Sequence, residues 1–179
     1  MHGAKELAYE SRYIDAMQYH HTQIGWTSLA ALGAGLLLML TVFRSMTRLQ
    51  IPVLAFVVLI AVFSLLLLVF CSLTTEVNGE EFRARFGVLG WPGKHAALRD
   101  ISAAVPIRLS LLSGWGIHVT TRGWLFNVSG RGAVIVGMTN GKQFIVGTDE
   151  PVMLADAINQ GLGREPVFSG IRGAGIVAE

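Results

Sequence analysis

The residues best suited to chemistry in this sequence are a pair of adjacent histidines and a lysine that follows a glycine-rich stretch. His20 and His21 come after Glu10 and Asp15, whose carboxylates could add oxygen ligands for a metal. Adjacent residues of a helix point about 100° apart, so the two imidazoles are poorly placed to chelate one ion. The sequence contains neither an HExxH motif nor a cysteine cluster. We therefore expect no metal site and no cofactor.

The stretch from Gly90 to Lys94 (GWPGK) is too irregular for a phosphate-binding loop. Such a loop needs glycine where the chain has Val88, and serine or threonine where it has His95. Serine nucleophiles would need a Gly-x-Ser-x-Gly elbow, and none of the candidates lies in one: these are Ser102, Ser110, Ser113 and Ser129. The sequence therefore predicts a protein that is not an enzyme.

The elements that would position any site begin with two long runs without charge, residues 24–43 and 51–73, of 20 and 23 residues. At about 1.5 Å per residue, each run spans roughly the 30 Å of a bilayer's hydrocarbon core. A cleaved signal peptide is disfavoured because the first run is long and follows 23 mostly polar residues. We predict a transmembrane helical hairpin over residues 24–73, with Trp26, Arg44 and Arg48 at the membrane interfaces.

The flanking segments indicate on which side the termini lie. A seven-residue connection joins the two runs, so both termini lie on one side of the membrane. Four basic residues flank the hairpin against two in the connection, which favours the cytoplasm. Residues 1–23 are expected to form an interfacial segment, in which Tyr9, Tyr13 and Met17 recur at helical spacing.

Residues 74–162 alternate between apolar and polar side chains, as strands do. Strands are predicted at 73–77, 81–86, 100–105, 133–138 and 142–147, with two more between Gly114 and Gly130. The dipeptide Asn78-Gly79 predicts a type I′ turn, and residues 148–151 (TDEP) predict the start of a helix. Residues 163–179 form a glycine-rich tail. From residue 74 onward ten Lys or Arg face nine Asp or Glu, which argues against nucleic acid as a partner.

Seven strands followed by a helix resemble the pleckstrin-homology (PH) superfold, and the chain is similar to bacterial PH-like membrane proteins. The motifs that carry this resemblance are residues 9–12 (YESR), 98–103 (LRDISA), 114–130 and 147–151 (GTDEP). The resemblance implies an α+β membrane protein: a two-helix hairpin, then an antiparallel seven-stranded barrel or sandwich capped by a helix. It also implies the bacterial cytoplasmic membrane and no established reaction.

The expected function is a non-catalytic module, anchored in the lipid bilayer, that binds another membrane protein or a second copy of itself. The alternative is a lipid-binding module, and an integral-membrane enzyme is a third. Arg83, Arg85 and Trp91 are the candidate contacts for a lipid or a partner. The first hairpin of the domain carries Glu76, Glu80 and Glu81, so the phosphoinositide site of eukaryotic PH domains is not carried over.

Overall fold

The structure is a computed structural model that describes residues 19–46, 53–110 and 114–164. In chain order its strands and helices are β1 (Tyr19–Ile24), α1 (Trp26–Met46), α2 (Val53–Phe70), β2 (Ser72–Val77), β3 (Glu81–Phe86), β4 (Gly93–Ala97), β5 (Ile101–Arg108), β6 (Gly116–Thr120), β7 (Gly123–Asn127), β8 (Gly132–Met138), β9 (Gln143–Gly147) and α3 (Pro151–Gly161). A single turn of 3₁₀ helix, Leu98–Asp100, joins β4 to β5.

The strands form two sheets, and the class is α+β as expected. Sheet 1 has the order β1-β2-β3-β4, and sheet 2 the order β5-β8-β9-β7-β6. The antiparallel seven-stranded barrel or sandwich predicted from the sequence is corrected in three respects. The described residues hold nine strands rather than seven, the two sheets do not close into a barrel, and β7 runs parallel to β9.

The first strand of sheet 1, β1, precedes the two apolar helices in the chain, whereas its partner β2 follows them. β1 pairs antiparallel with β2, from Tyr19 opposite Val77 to Ile24 opposite Ser72. Residues 19–23, expected to be interfacial, therefore belong to the sheet; Tyr9, Tyr13 and Met17 lie outside the described residues. The helices α1 and α2 form the connection of a β-hairpin, and no linker separates them from the sheet.

Helices α1 and α2 pack against each other in antiparallel directions. The rings of Phe43 and Phe56 stack with centroids 4.2 Å apart, and Gly35 lies beside the ring of Phe63. By length and composition, one helix in the described residues could cross a membrane: Trp26–Arg44, with a mean hydropathy of 1.8. The apolar part of α2, Leu54–Phe70, is shorter than that.

The core lies between the inner faces of the two sheets, with α3 across one side. Its largest fully buried side chains come from both sheets and the helix: Phe82, Phe86, Leu73, Leu154, Ile158, Val128, Val134, Val136 and Val146. Leu125 lies in a second, smaller cluster with Leu109, Ala133 and Ile145. Alternation places them, since β3 buries Phe82, Ala84 and Phe86 and turns the residues between them outward. The sheets and α3 together are called the head below.

Candidate functional site

The helices and one loop meet the head at the same end of sheet 1, called here the helix-proximal end. The register of β1, β2 and β3 brings Ile24, Ser72 and Gly87 side by side. The backbone N–H of Gly25 donates to Cys71 O at 2.8 Å, and the N–H of Gly87 donates to Ser72 O at 2.8 Å. The start of α1, the end of α2 and the β3–β4 loop therefore lie next to one another.

The β3–β4 loop is held against the last turn of α2. The N–H of Val88 donates to Leu68 O at 3.3 Å. Gly87 has a φ of +59°, and a Cβ on it would overlap the carbonyl groups of Leu68 and Val69. Only glycine permits this close approach. Beyond the contact the loop exposes Val88, Leu89 and Trp91 by 77%, 62% and 74%.

The interfacial residues predicted from the sequence lie at the two ends of α1. Trp26 is the first residue of the helix and is 69% exposed, whereas Arg44 lies in its last turn. About 18 residues of helix place the two roughly 27 Å apart along the axis. Arg48 lies outside the described residues. Trp26 and Trp91 are thus brought to the same end of the head, and Arg44 is not.

Arg83 and Arg85 lie on the outer, solvent-facing side of β3, and each is paired with a glutamate. Arg83 donates to Glu81, and Arg85 donates to Glu76. The hydrogen bond from Arg83 lowers the pKa of the Glu81 carboxyl and raises the pKa of the guanidinium. Two arginines whose charges are already balanced are poor candidates for a phosphate headgroup.

A polar cluster that the sequence did not reveal joins β1 to the start of α3. Nε2 of His21 lies 2.6 Å from Asp149 Oδ1, and Nδ1 lies 3.4 Å from Glu150 Oε2. The hydroxyl of Tyr19 donates to Glu150 Oε2 at 3.3 Å. Burial, with the Glu150 carboxylate nearby, raises the pKa of the Tyr19 phenol. Every one of these groups contacts another protein group, so the cluster ties β1 to the start of α3.

A shallow depression of about 730 Å³ lies at the opposite end of sheet 1 from the helices. It is lined by the β2–β3 turn, the 3₁₀ turn and the end of α3, with Glu80, Glu81 and Arg99 as its charged residues. Two carboxylates against one guanidinium give it no preference for anions. In the described part of the chain, no group of three or more metal-binding side chains is present.

Strand β6 is an open edge of sheet 2. Within the described residues its one strand neighbour is β7. Trp115, Val119 and Trp124 beside it are exposed by 53%, 64% and 52%. Val119 pairs with Trp124, whereas the next pair, Ile117 and Phe126, packs against the core. The cover that sheet 1 provides thus ends between these two pairs.

The other edge of sheet 2 is protected. The amide of Asn159 on α3 donates to Ala104 O at 2.8 Å and accepts from Ala104 N at 3.0 Å, which satisfies the backbone of β5 there. Pro106 removes a further donor from the same strand. A partner strand would therefore find free backbone groups along β6 rather than along β5.

No protein-family model, no curated protein and no solved structure matches this chain. Its function is therefore inferred from the geometry of the described residues.

Proposed function

We propose that the protein is a non-catalytic, membrane-anchored module whose PH-like head binds another membrane protein, or a second copy of the chain, at the cytoplasmic face of a bacterial membrane. The observation that carries this proposal is the position of α1 and α2 between two adjacent strands. Because β1 leads directly into α1, and α2 leads directly into β2, no linker separates the helices from the head. The head is therefore held at a fixed distance and orientation from the bilayer. Such tethering raises the effective concentration of partners in the same membrane.

The anchor in this proposal is the pair α1 and α2 crossing the bilayer together. No charged residue occurs from Trp26 to Phe43 in α1 or from Leu54 to Phe70 in α2. Large apolar side chains point outward along both helices: Leu37, Leu38, Leu40, Val42, Leu54, Val57, Val58, Leu59, Val62, Leu65, Leu66 and Leu68. Water would oppose so large an exposed apolar surface, whereas lipid accommodates it. Because α2 packs antiparallel along α1, we place it in the same layer of the bilayer.

The partner site in this proposal is the β6 edge with Trp115, Val119 and Trp124. An extended segment of a partner adds its backbone hydrogen bonds to an open strand, and exposed aromatic residues beside that strand supply apolar contact. The paired state of Arg83 and Arg85 argues against headgroup binding as the main function, which leaves protein binding as the better supported alternative.

The anchor is tested by washing membranes from cells that express the full chain with alkaline carbonate. We expect the protein to stay in the membrane pellet, because the hairpin spans the bilayer. Release into the supernatant would contradict the anchor.

The partner site is tested in living cells with a photo-crosslinking amino acid at Val119 of the full-length chain. We expect a discrete adduct with one membrane protein or with a second copy, and we expect Trp124→Lys to abolish it by placing a charge beside the edge. The matched control carries the crosslinker at Thr22, on the outer face of sheet 1. Equal adducts from both positions, or no adduct from Val119, would contradict the proposed site.

A further inference from the structure

Three features of the β3–β4 loop indicate the kind of surroundings in which it lies. From Gly87 to Gly93 (GVLGWPG) it contains no charged residue. Its apolar side chains Val88, Leu89 and Trp91 are exposed by 77%, 62% and 74%, so nothing in the described head covers them. Arg85 and Lys94 flank the loop on its two sides.

The position of the loop along α2 fixes the depth at which these side chains lie. Val88 donates to Leu68 O, and Leu68 lies four residues before Ser72, where sheet 1 begins. Helix α2 ends at Phe70, so the two helical steps from Leu68 to Phe70 correspond to about 3 Å along the axis, and Cys71 then leads into β2. The tip of the loop thus reaches past the start of the sheet, alongside the last turn of the apolar helix.

A rigid contact holds the loop in that position. The N–H of Gly87 donates to Ser72 O at 2.8 Å, and the N–H of Phe86 donates to Pro92 O at 3.0 Å. Both ends of the loop are therefore tied to sheet 1, while its apolar tip points away from it. The tip therefore lies beside the last turn of α2.

We propose that the β3–β4 loop is a second membrane anchor, which inserts Val88, Leu89 and Trp91 into the interfacial layer of the leaflet that borders the head. This inference rests on the proposed function, since it assumes that α1 and α2 span the bilayer. Tryptophan and aliphatic side chains partition into this layer. The loop adds a third contact to the two helices and thereby prevents the head from tilting.

The insertion is tested with full-length protein reconstituted in vesicles of phosphatidylcholine and phosphatidylglycerol, some of whose acyl chains carry bromine near the headgroup. Bromine quenches nearby tryptophan. Three variants each keep one tryptophan, Trp91, Trp26 or Trp124, with the other three changed to phenylalanine. We expect strong quenching of Trp91 and Trp26 and little quenching of Trp124. Trp124 lies beside Val119 of β6, four residues before Val128, whose carbonyl accepts a hydrogen bond from Ser28 of α1.

The control tryptophans separate the two proposals. Quenching of Trp26 without quenching of Trp91 would overturn the inserted loop and leave the helical anchor standing. Absence of quenching at both positions would overturn the anchor and, with it, the loop.

A second measurement avoids triple substitution in case those variants do not fold. Leu89→Cys in a Cys71→Ser background is labelled with a polarity-sensitive dye, and Thr139→Cys on the exposed β8–β9 turn is the matched control. We expect blue-shifted emission and bromine quenching for the label at position 89 and neither for position 139. Equal emission at the two positions would overturn the inserted loop.

Discussion

Asn159 on α3 occupies the place of a neighbouring strand along β5, since its side-chain amide makes both backbone hydrogen bonds of Ala104, at 2.8 and 3.0 Å. Asn159 is itself only 5% exposed, so these bonds are shielded from water. One side chain therefore fixes the helix to the sheet and closes the sheet edge at the same point.

Replacement of Asn159 by alanine is expected to lower the free energy of unfolding by about 2–4 kcal/mol, because it leaves a buried N–H and a buried C=O without partners. The measurement is thermal or denaturant unfolding of the detergent-solubilised protein, followed by tryptophan emission. Gln160→Ala, at the next and half-exposed position, serves as the control and should change stability by no more than about 0.5 kcal/mol. Equal effects of the two substitutions would contradict the role assigned to Asn159.

Gly87→Ala is expected to disturb the junction between the head and α2. The substitution places a methyl group against the carbonyls of Leu68 and Val69 and strains a positive φ. Gly141→Ala is the matched control, because Gly141 also has a positive φ, of +78°, but a Cβ there would meet no atom within 4 Å. The backbone strain alone costs about 1–2 kcal/mol, so a greater loss of stability at Gly87 measures the tight packing. Indistinguishable melting temperatures would show that the loop yields easily.

The contact between His21 and Asp149 is expected to stabilise the attachment of β1 modestly. Both side chains reach solvent, at 24% and 57% exposure, so Asp149→Asn should cost no more than about 1 kcal/mol. Local opening of β1 should increase more than global unfolding does, and amide hydrogen exchange along Tyr19–Ile24 would detect it. Asp100→Asn, at an exposed acid on the 3₁₀ turn, is the control; faster exchange in both variants would point to a general effect of charge.

The ion pair between Arg83 and Glu81 makes stability depend on pH in the acidic range. Because the pKa of Glu81 is lowered in the folded protein from its ordinary value of 4.5, the pair contributes fully above that value. The contribution is lost as pH falls through the lowered folded-state pKa. The stability difference between the wild type and Glu81→Gln should therefore stay constant from neutral pH down to about 4.5 and shrink at lower pH. A difference that stays constant with pH would show that the pair contributes nothing, and Glu80→Gln, at the neighbouring turn residue, controls for the change in net charge.

Local sequence patterns predicted the elements whose cause is local. Two long uncharged runs yield the helices, and alternation in residues 81–86 yields β3 with the observed bounds. The helix after residue 150 begins at Pro151, where proline's missing N–H costs nothing. Each of these results depends on neighbours within one or two turns of the chain.

The elements that were missed depend on distant partners or on weak strand formers. Strand β1 contains two histidines and a glutamine, and its partner β2 begins 48 positions after Ile24. Strand β4 (GKHAA) has residues of low strand propensity and forms because β3 lies beside it. The parallel pairing of β7 with β9 is likewise a tertiary result, which alternation cannot predict.

The turn at Asn78 was predicted with the wrong geometry. Neither Asn78 nor Gly79 has a positive φ, so the type I′ turn expected from this dipeptide does not form. The side chain of Asn78 instead accepts hydrogen bonds from the N–H groups of Glu80 and Glu81, at 3.1 and 2.8 Å. Asparagine's ability to cap its own turn outweighed the preference of the dipeptide.

In the candidate site too, features with local causes were predicted and contacts between distant residues were not. Trp26 was predicted at the membrane interface from its place near the start of the first apolar run, and Trp91 was predicted as a lipid or partner contact. Both lie at the helix-proximal end of sheet 1. Arg83 pairs with Glu81, two residues earlier on the same strand, and Arg85 pairs with Glu76 on the neighbouring strand β2. The contact of His21 with Asp149 joins residues 128 positions apart, which no local pattern reveals.

The placement of both helices between β1 and β2 imposes an order on folding. Ile24 and Ser72 can pair only after the 47 residues between them have brought their ends together, and an assembled antiparallel helix pair does so without the full entropic cost of closing a long flexible loop. Pairing of the two helices therefore favours the addition of β1 to sheet 1. A chain whose helices fail to pair would keep β1 detached and the edge of β2 uncovered, a difference that cellular proteases can recognise.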